Sequence, residues 1–177
     1  MAPNSLKLNK PIVLVGLMGC GKSTIGKRLA TYLSVPFIDL DNEIEELAEM
    51  SITEIFSTFG EEHFRNLELE VFKKTISNKP LVMATGGGAF INKEIRNVIK
   101  QNAISVWIKA DLDTLLERVS RKNNRPLLAN GYKAEILQNL IEKRYPIYAE
   151  ADIAVETNSG THDVVMHKII EAVNEKF

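Results

Sequence analysis

Pro11-Ile12-Val13-Leu14-Val15-Gly16-Leu17-Met18-Gly19-Cys20-Gly21-Lys22-Ser23-Thr24 joins an apolar run to a turn of the form G-x-x-x-x-G-K-[ST]. Between a buried strand and a helix, such a turn is a phosphate-binding loop. Its backbone N–H groups point at an anion, its lysine supplies a charge to the β and γ phosphates, and its serine hydroxyl is placed to ligate Mg²⁺. At ordinary glycine frequency the bare pattern arises by accident in about one chain of this length in a hundred, so its context decides. Ile12 to Val15 reads as a buried parallel strand, and Ile25, Leu29 and Leu33 mark the inner stripe of a following helix. The first expectation is therefore a bound nucleoside triphosphate, with Gly19, Cys20, Gly21, Lys22, Ser23 and Thr24 around its phosphates.

Outward from this loop, short apolar runs alternate with amphipathic stretches, the βαβ pattern of a parallel sheet covered by helices. Five strands are expected: Ile12 to Val15, Pro36 to Asp39, Leu81 to Ala84, Ile104 to Ile108 and Ile153 to Glu156. An insertion between the second and third carries Ile44, Leu47 and Ala48 on one helix face. It also carries a capping box, Ser51-Ile52-Thr53-Glu54, that starts another helix. Asp111 is a candidate cap for a helix bearing Leu115, Leu116 and Val119, and Val164, Val165, Ile169 and Val173 mark a last helix.

Composition narrows the class. A chain of 177 residues, 45% hydrophobic, buries one substantial core, so a single domain over 1–177 is expected. Its 22 basic and 23 acidic residues leave a net charge of -1, which argues against a general nucleic-acid or membrane surface and for small-molecule partners. Cys20 is the one cysteine and Met1 to Lys10 is polar, so a reducing cytoplasm is the expectation; a monomer is expected by default, since the sequence does not read out the oligomeric state. Within the loop, Cys20 reads as a small side chain filling a variable position, or as a thiol activated by a helix N-terminus.

Other residues qualify the chemistry. Alternation along Phe37-Ile38-Asp39-Leu40-Asp41 puts two carboxylates on one side at the carboxyl edge of the sheet, where open α/β folds bind ligands. Asp39 suits the Mg²⁺ side and Asp41 a hydroxyl proton, although Asp41 also fits as a helix cap. Glu61, Arg65 and Glu68 recur at i, i+4 and i+7, whose ordinary meaning is an exposed Glu–Arg pair. Gly86-Gly87-Gly88 directly follows the third strand, either to let a ligand approach the backbone or as a tight turn needing positive φ. That strand lacks a terminal Asp, so a metal-associated carboxylate has to come from elsewhere, with Asp39 nearest. Arg118, Arg121, Lys122 and Arg125 crowd a polar stretch that reads as a solvated charge run or, opposite a phosphate loop, as a closing lid. Arg144 is helix-surface charge or a carboxylate clamp. The three histidines have no metal-ligand spacing around them.

Taken together, the phosphate loop, Asp39-Leu40-Asp41, Gly60-Glu61 with Phe64-Arg65 and Glu68, the glycine triad, Arg125-Pro126-Leu127-Leu128, and Arg144 with Tyr148 resemble the shikimate kinases in order and spacing. The resemblance implies a P-loop NTPase three-layer α/β/α fold of the nucleoside monophosphate kinase type. Its five-stranded parallel sheet would run 2-3-1-4-5, with an acceptor-binding segment at about 42–76 and a lid at about 119–132. It also implies that Asp41, Arg65, Gly86, Gly87, Gly88 and Arg144 hold shikimate, with Glu61 supporting Arg65. Arg65 and Arg144 would grip the carboxylate, and Asp41 would orient or deprotonate the 3-hydroxyl. Lys22 and Arg125 would stabilise the moving phosphoryl, Ser23 and Asp39 would serve Mg²⁺, and Arg118 would stack on adenine. Where the family often carries a basic or Pro-containing adenine loop, this chain has Ser159-Gly160. The expected reaction is transfer of the γ-phosphoryl of ATP to shikimate. Two rivals are a kinase for gluconate or a nucleoside monophosphate, and a nucleotide-binding module without turnover. The guanine-reading Asn-Lys-x-Asp is absent.

Overall fold

The computed structural model describes residues 7–120, 133–158 and 160–177. Its centre is β1 (Ile12–Val15), whose four side chains are all fully buried. Such a run suits only a strand covered on both faces. β1 pairs in parallel with β3 (Val82–Ala84) on one side and β4 (Ile104–Lys109) on the other, with Ile12 opposite both Val82 and Ile104. β2 (Phe37–Asp39) and β5 (Ile153–Glu156) form the edges, so the order is β2-β3-β1-β4-β5, as the resemblance implied. Edge position explains the pattern of β5, where buried Ile153 and Val155 alternate with exposed Ala154 and Glu156.

The carboxyl ends of β1, β2 and β3 feed the elements that carry polar chemistry. β1 runs into the phosphate loop and then α1 (Lys22–Leu33). Gly16, Gly19 and Gly21 all have positive φ, and a β-carbon on Gly16 would stand 2.7 Å from the Ile108 carbonyl oxygen. Only glycine admits that turn beside β4. β2 runs straight into α2 (Leu40–Ala48), followed by α3 (Ile52–Phe59) and α4 (Glu61–Thr75). The expected capping box is present: Glu54 N–H donates to Ser51 Oγ at 3.1 Å, and Ser51 N–H to Glu54 Oε2 at 3.1 Å. β3 leads through the glycine triad into one turn of 3₁₀ helix, Ala89–Ile91, and then α5 (Lys93–Asn102). After β4 come α6 (Leu112–Ser120) and α7 (Lys133–Tyr148), and after β5 the last helix, α8 (His162–Lys176). Asp111 caps α6 as expected, accepting from Thr114 N–H at 2.8 Å, and these hydrogen bonds hold its carboxyl below the usual range.

Three local expectations need correction. Leu47 is 56% exposed and Val164 44% exposed, so neither belongs to its helix's buried stripe. Ile44 carries the inner face of α2, and Val165, Ile169 and Val173 that of α8. The Asp39 and Asp41 pair also does not follow strand alternation, because the strand ends at Asp39 and Asp41 lies in the first turn of α2. Asp39, not Asp41, is the cap, accepting from Asn42 N–H at 3.3 Å. Among the described residues, no helix is long and apolar enough to cross a membrane.

Candidate active site

A cavity of about 280 Å³ opens at the carboxyl edge of the sheet. One wall is the phosphate loop and the start of α1: Met18, Gly19, Gly21, Lys22, Ser23 and Thr24. The facing side brings Asp39, Asp41, Thr85, Gly86 and Gly87, and Arg118 and His162 close one end. Parallel β1, β2 and β3 deliver these groups to one edge because every strand points the same way.

Lys22 is buried, and its ammonium donates to the loop's own carbonyls, to Gly16 at 2.6 Å and Leu17 at 3.0 Å. Those carbonyls hold the charge beside the loop. The Cys20 thiol is buried, 3.6 Å from Lys22 Nζ, in keeping with the packing reading of that residue. Ser23 Oγ donates to Asp39 Oδ2 at 2.8 Å, tying the start of α1 to the end of β2.

Arg118 spans two loops. Its guanidinium donates to Cys20 O at 2.9 Å in the phosphate loop, and to Thr157 O at 3.1 Å and Thr157 Oγ1 at 3.3 Å after β5. Beyond it lies a second cavity, lined by Arg28, Thr114, Glu117, Asn158 and the start of α8, which shares Arg118 and His162 with the first. Asn158 Oδ1 accepts from Asp111 N–H at 2.7 Å, which fastens the loop after β5 to the head of α6. His162 is held below the usual imidazole range, first by burial and then by Arg118 and Arg28. Nothing in the sequence singled it out, because only the position of β5 beside β4 brings α8 to the phosphate loop.

The glycine triad has a different purpose from a tight turn. None of Gly86, Gly87 and Gly88 has positive φ. Instead, a β-carbon on Gly86 would stand 2.9 Å from Asp41 Oδ1 and one on Gly87 3.1 Å from Arg144 Nη1, while one on Gly88 would collide with the Arg65 guanidinium. A carboxylate from α2 and guanidiniums from α4 and α7 thus crowd one bare stretch of backbone. The lack of side chains at those three positions leaves room for these groups.

Arg65 is held by two carboxylates of unequal standing. Glu61 is 70% exposed and reaches Arg65 Nε at 3.6 Å, whereas Glu68 is fully buried and accepts from Arg65 Nη1 at 3.0 Å. The expected exposed pair is therefore in large part a buried one. Burial pushes the Glu68 carboxyl up to about 7, against the opposing pull of Arg65. Sequence reasoning left Glu68 out of the site; its signal was the i, i+3 spacing to Arg65 together with a buried face shared with Phe64, Val71 and Phe72. His63 is exposed and stacked on Phe59 at 4.5 Å, as a surface residue. Arg125 and the lid segment beyond 120 lie outside the described residues.

The family model for shikimate kinase matches residues 18–174. The chain is 50% identical over 165 residues to a shikimate kinase of Bartonella henselae, covering 93% of this chain and 79% of that one. To one of Brucella canis it is 47% identical over 165 residues, covering 93% of this chain and 82% of that one. A solved structure of a shikimate kinase from Acinetobacter baumannii, in complex with shikimate, superposes with a TM-score of 0.90 at 38% identity, covering 94% of this chain and 93% of the other. A family match that begins inside the phosphate loop and runs into α8, together with relatives about half identical over most of the chain, makes this chain a member of the shikimate kinase family.

Proposed function

We propose that the crowding of Asp41, Arg65 and Arg144 on the glycine triad is the acceptor half of a shikimate kinase site, and that the phosphate loop is its ATP half. That convergence of one carboxylate and two guanidiniums, from three separate helices, is the observation that carries the reading. Shikimate has a carboxylate and a ring of hydroxyls. Arg65 and Arg144 suit the carboxylate, because a planar guanidinium fork binds it through two parallel hydrogen bonds. Asp41, across from them and lining the cavity with Lys22, suits the 3-hydroxyl that attacks.

Phosphoryl transfer asks for alignment and charge stabilisation rather than covalent help. Lys22 holds its charge in the loop that surrounds the β and γ phosphates, and Asp41 orients the hydroxyl or accepts its proton. Arg125, beyond the described residues, is assigned to the closing lid, and Arg118 to the adenine side. Among the described residues no group of three or more His, Cys, Asp or Glu is placed to hold a metal. One hydroxyl and one carboxylate, Ser23 and Asp39, nevertheless fit Mg²⁺, which keeps several waters and takes the rest of its ligands from phosphates. When bound, the ion would draw charge from the β and γ oxygens.

A coupled assay of ADP release with Mg-ATP and a panel of acceptors tests the proposal. Turnover is expected with shikimate and not with gluconate or a nucleoside monophosphate. ATP binding without shikimate-dependent turnover would leave a binding module instead.

A further inference from the structure

Tyr148 closes α7 one turn after Arg144, and it is fully buried. Its ring lies between Trp107 of β4, at 5.9 Å between centroids, and Phe90 of the 3₁₀ turn, at 6.4 Å. Packing alone would be served by phenylalanine. A buried phenol needs a partner, and this one donates to the carbonyl of Gly87, the residue where a β-carbon would stand 3.1 Å from Arg144 Nη1. In the same loop, the Gly86 and Gly88 carbonyls accept from Ala89 and Ile91 N–H groups at 3.2 Å each, bonds internal to the 3₁₀ turn. The contact at Gly87 is different, because it joins the triad to another helix.

We infer that Tyr148 is a positioning residue for acceptor binding, whose hydrogen bond fixes the Gly87 backbone that the Arg144 guanidinium faces. The i, i+4 spacing on α7 puts guanidinium and phenol on one helix face. The phenol thereby anchors the stretch of backbone that the cation faces. The neighbouring Tyr145 serves as a built-in contrast. It packs on Trp107 at 5.0 Å, but its hydroxyl donates to the carbonyl of Ala110, just past β4, and not to the triad.

This inference rests on the acceptor assignment made above, and Tyr148→Phe tests it because the substitution keeps the ring and removes only the hydroxyl. The expected result is a KM for shikimate raised roughly fivefold to tenfold, the scale of one lost hydrogen bond, with kcat and the KM for ATP changed by less than about twofold. Tyr145→Phe, measured alongside, is expected to keep the shikimate KM of the unaltered chain. Unchanged shikimate KM in Tyr148→Phe, equal rises for both substrates, an equal rise in Tyr145→Phe, or failure of Tyr148→Phe to fold would each overturn the inference and mark Tyr148 as structural. If the unaltered chain turns over shikimate and Tyr148→Phe matches it, only this inference fails. If the unaltered chain has no shikimate-dependent turnover, the acceptor assignment fails and this inference falls with it.

Discussion

Replacing Glu68 by glutamine should make the protein more stable at pH 8, and the gain should vanish toward pH 5. Glu68 is fully buried, one of its carboxylate oxygens accepts from Arg65 at 3.0 Å, and the other has no hydrogen-bond partner among the described residues. Burial is the largest influence on its acidity. Arg65 and, more weakly, Arg144 oppose it and Asp41 adds to it, and the carboxyl ends up raised from 4.5 to about 7. At about 1.4 kcal/mol per pKa unit, ionising this group in the folded protein costs about 3 kcal/mol more than in the unfolded chain. The sign follows from proton counting: between pH 4.5 and about 7 the folded state binds more protons at this site than the unfolded state. The site's contribution to stability is therefore full below pH 4.5 and is lost as pH rises through about 7. Glutamine resembles the protonated form at every pH. It carries an extra N–H that the unpartnered position does not satisfy, a penalty of about 1 kcal/mol. The net expectation is a stabilisation of roughly 2 kcal/mol for Glu68→Gln above pH 7.5. Urea unfolding of both proteins from pH 5 to 8 measures the difference, and other titrating groups cancel in the comparison. Parallel curves, or an unaltered protein that gains on the variant as pH rises, would refute the account of Glu68 as a buried charge kept against stability for the sake of Arg65.

Lys22→Ala should reduce kcat by roughly 10²- to 10³-fold, the scale of removing one charge-stabilising group, while thermal melting shifts by only a few degrees; comparable losses in both would make Lys22 structural. Gly88→Ala should raise the KM for shikimate and leave that for ATP near its original value, because the added methyl meets the Arg65 guanidinium and requires no left-handed backbone. Steady-state kinetics with each substrate varied in turn would expose an equal effect on both, which would deny the triad its acceptor role.

The sequence by itself determined the strands and the phosphate loop, because both are local. Short apolar runs alternating with amphipathic stretches specify strands between helices, and the spacing Gly16, Gly21, Lys22, Ser23 specifies a turn whose geometry is set by its own backbone. The capping residues Ser51 and Asp111 were readable for the same reason, since each acts within three residues. Tertiary structure alone decided the rest. Whether Glu68 is a surface charge or a buried partner of Arg65, why Gly86 to Gly88 are bare, and which loops Arg118 ties together depend on helices far apart in the chain meeting at one sheet edge. The Asp39 and Asp41 case marks the boundary between the two. The sequence placed both at the cavity, but through alternation along a strand that in fact ends at Asp39, and it is the turn into α2 that brings Asp41 to the glycines. Periodicity reports which side of an element a residue occupies; what stands opposite is set by how distant elements pack.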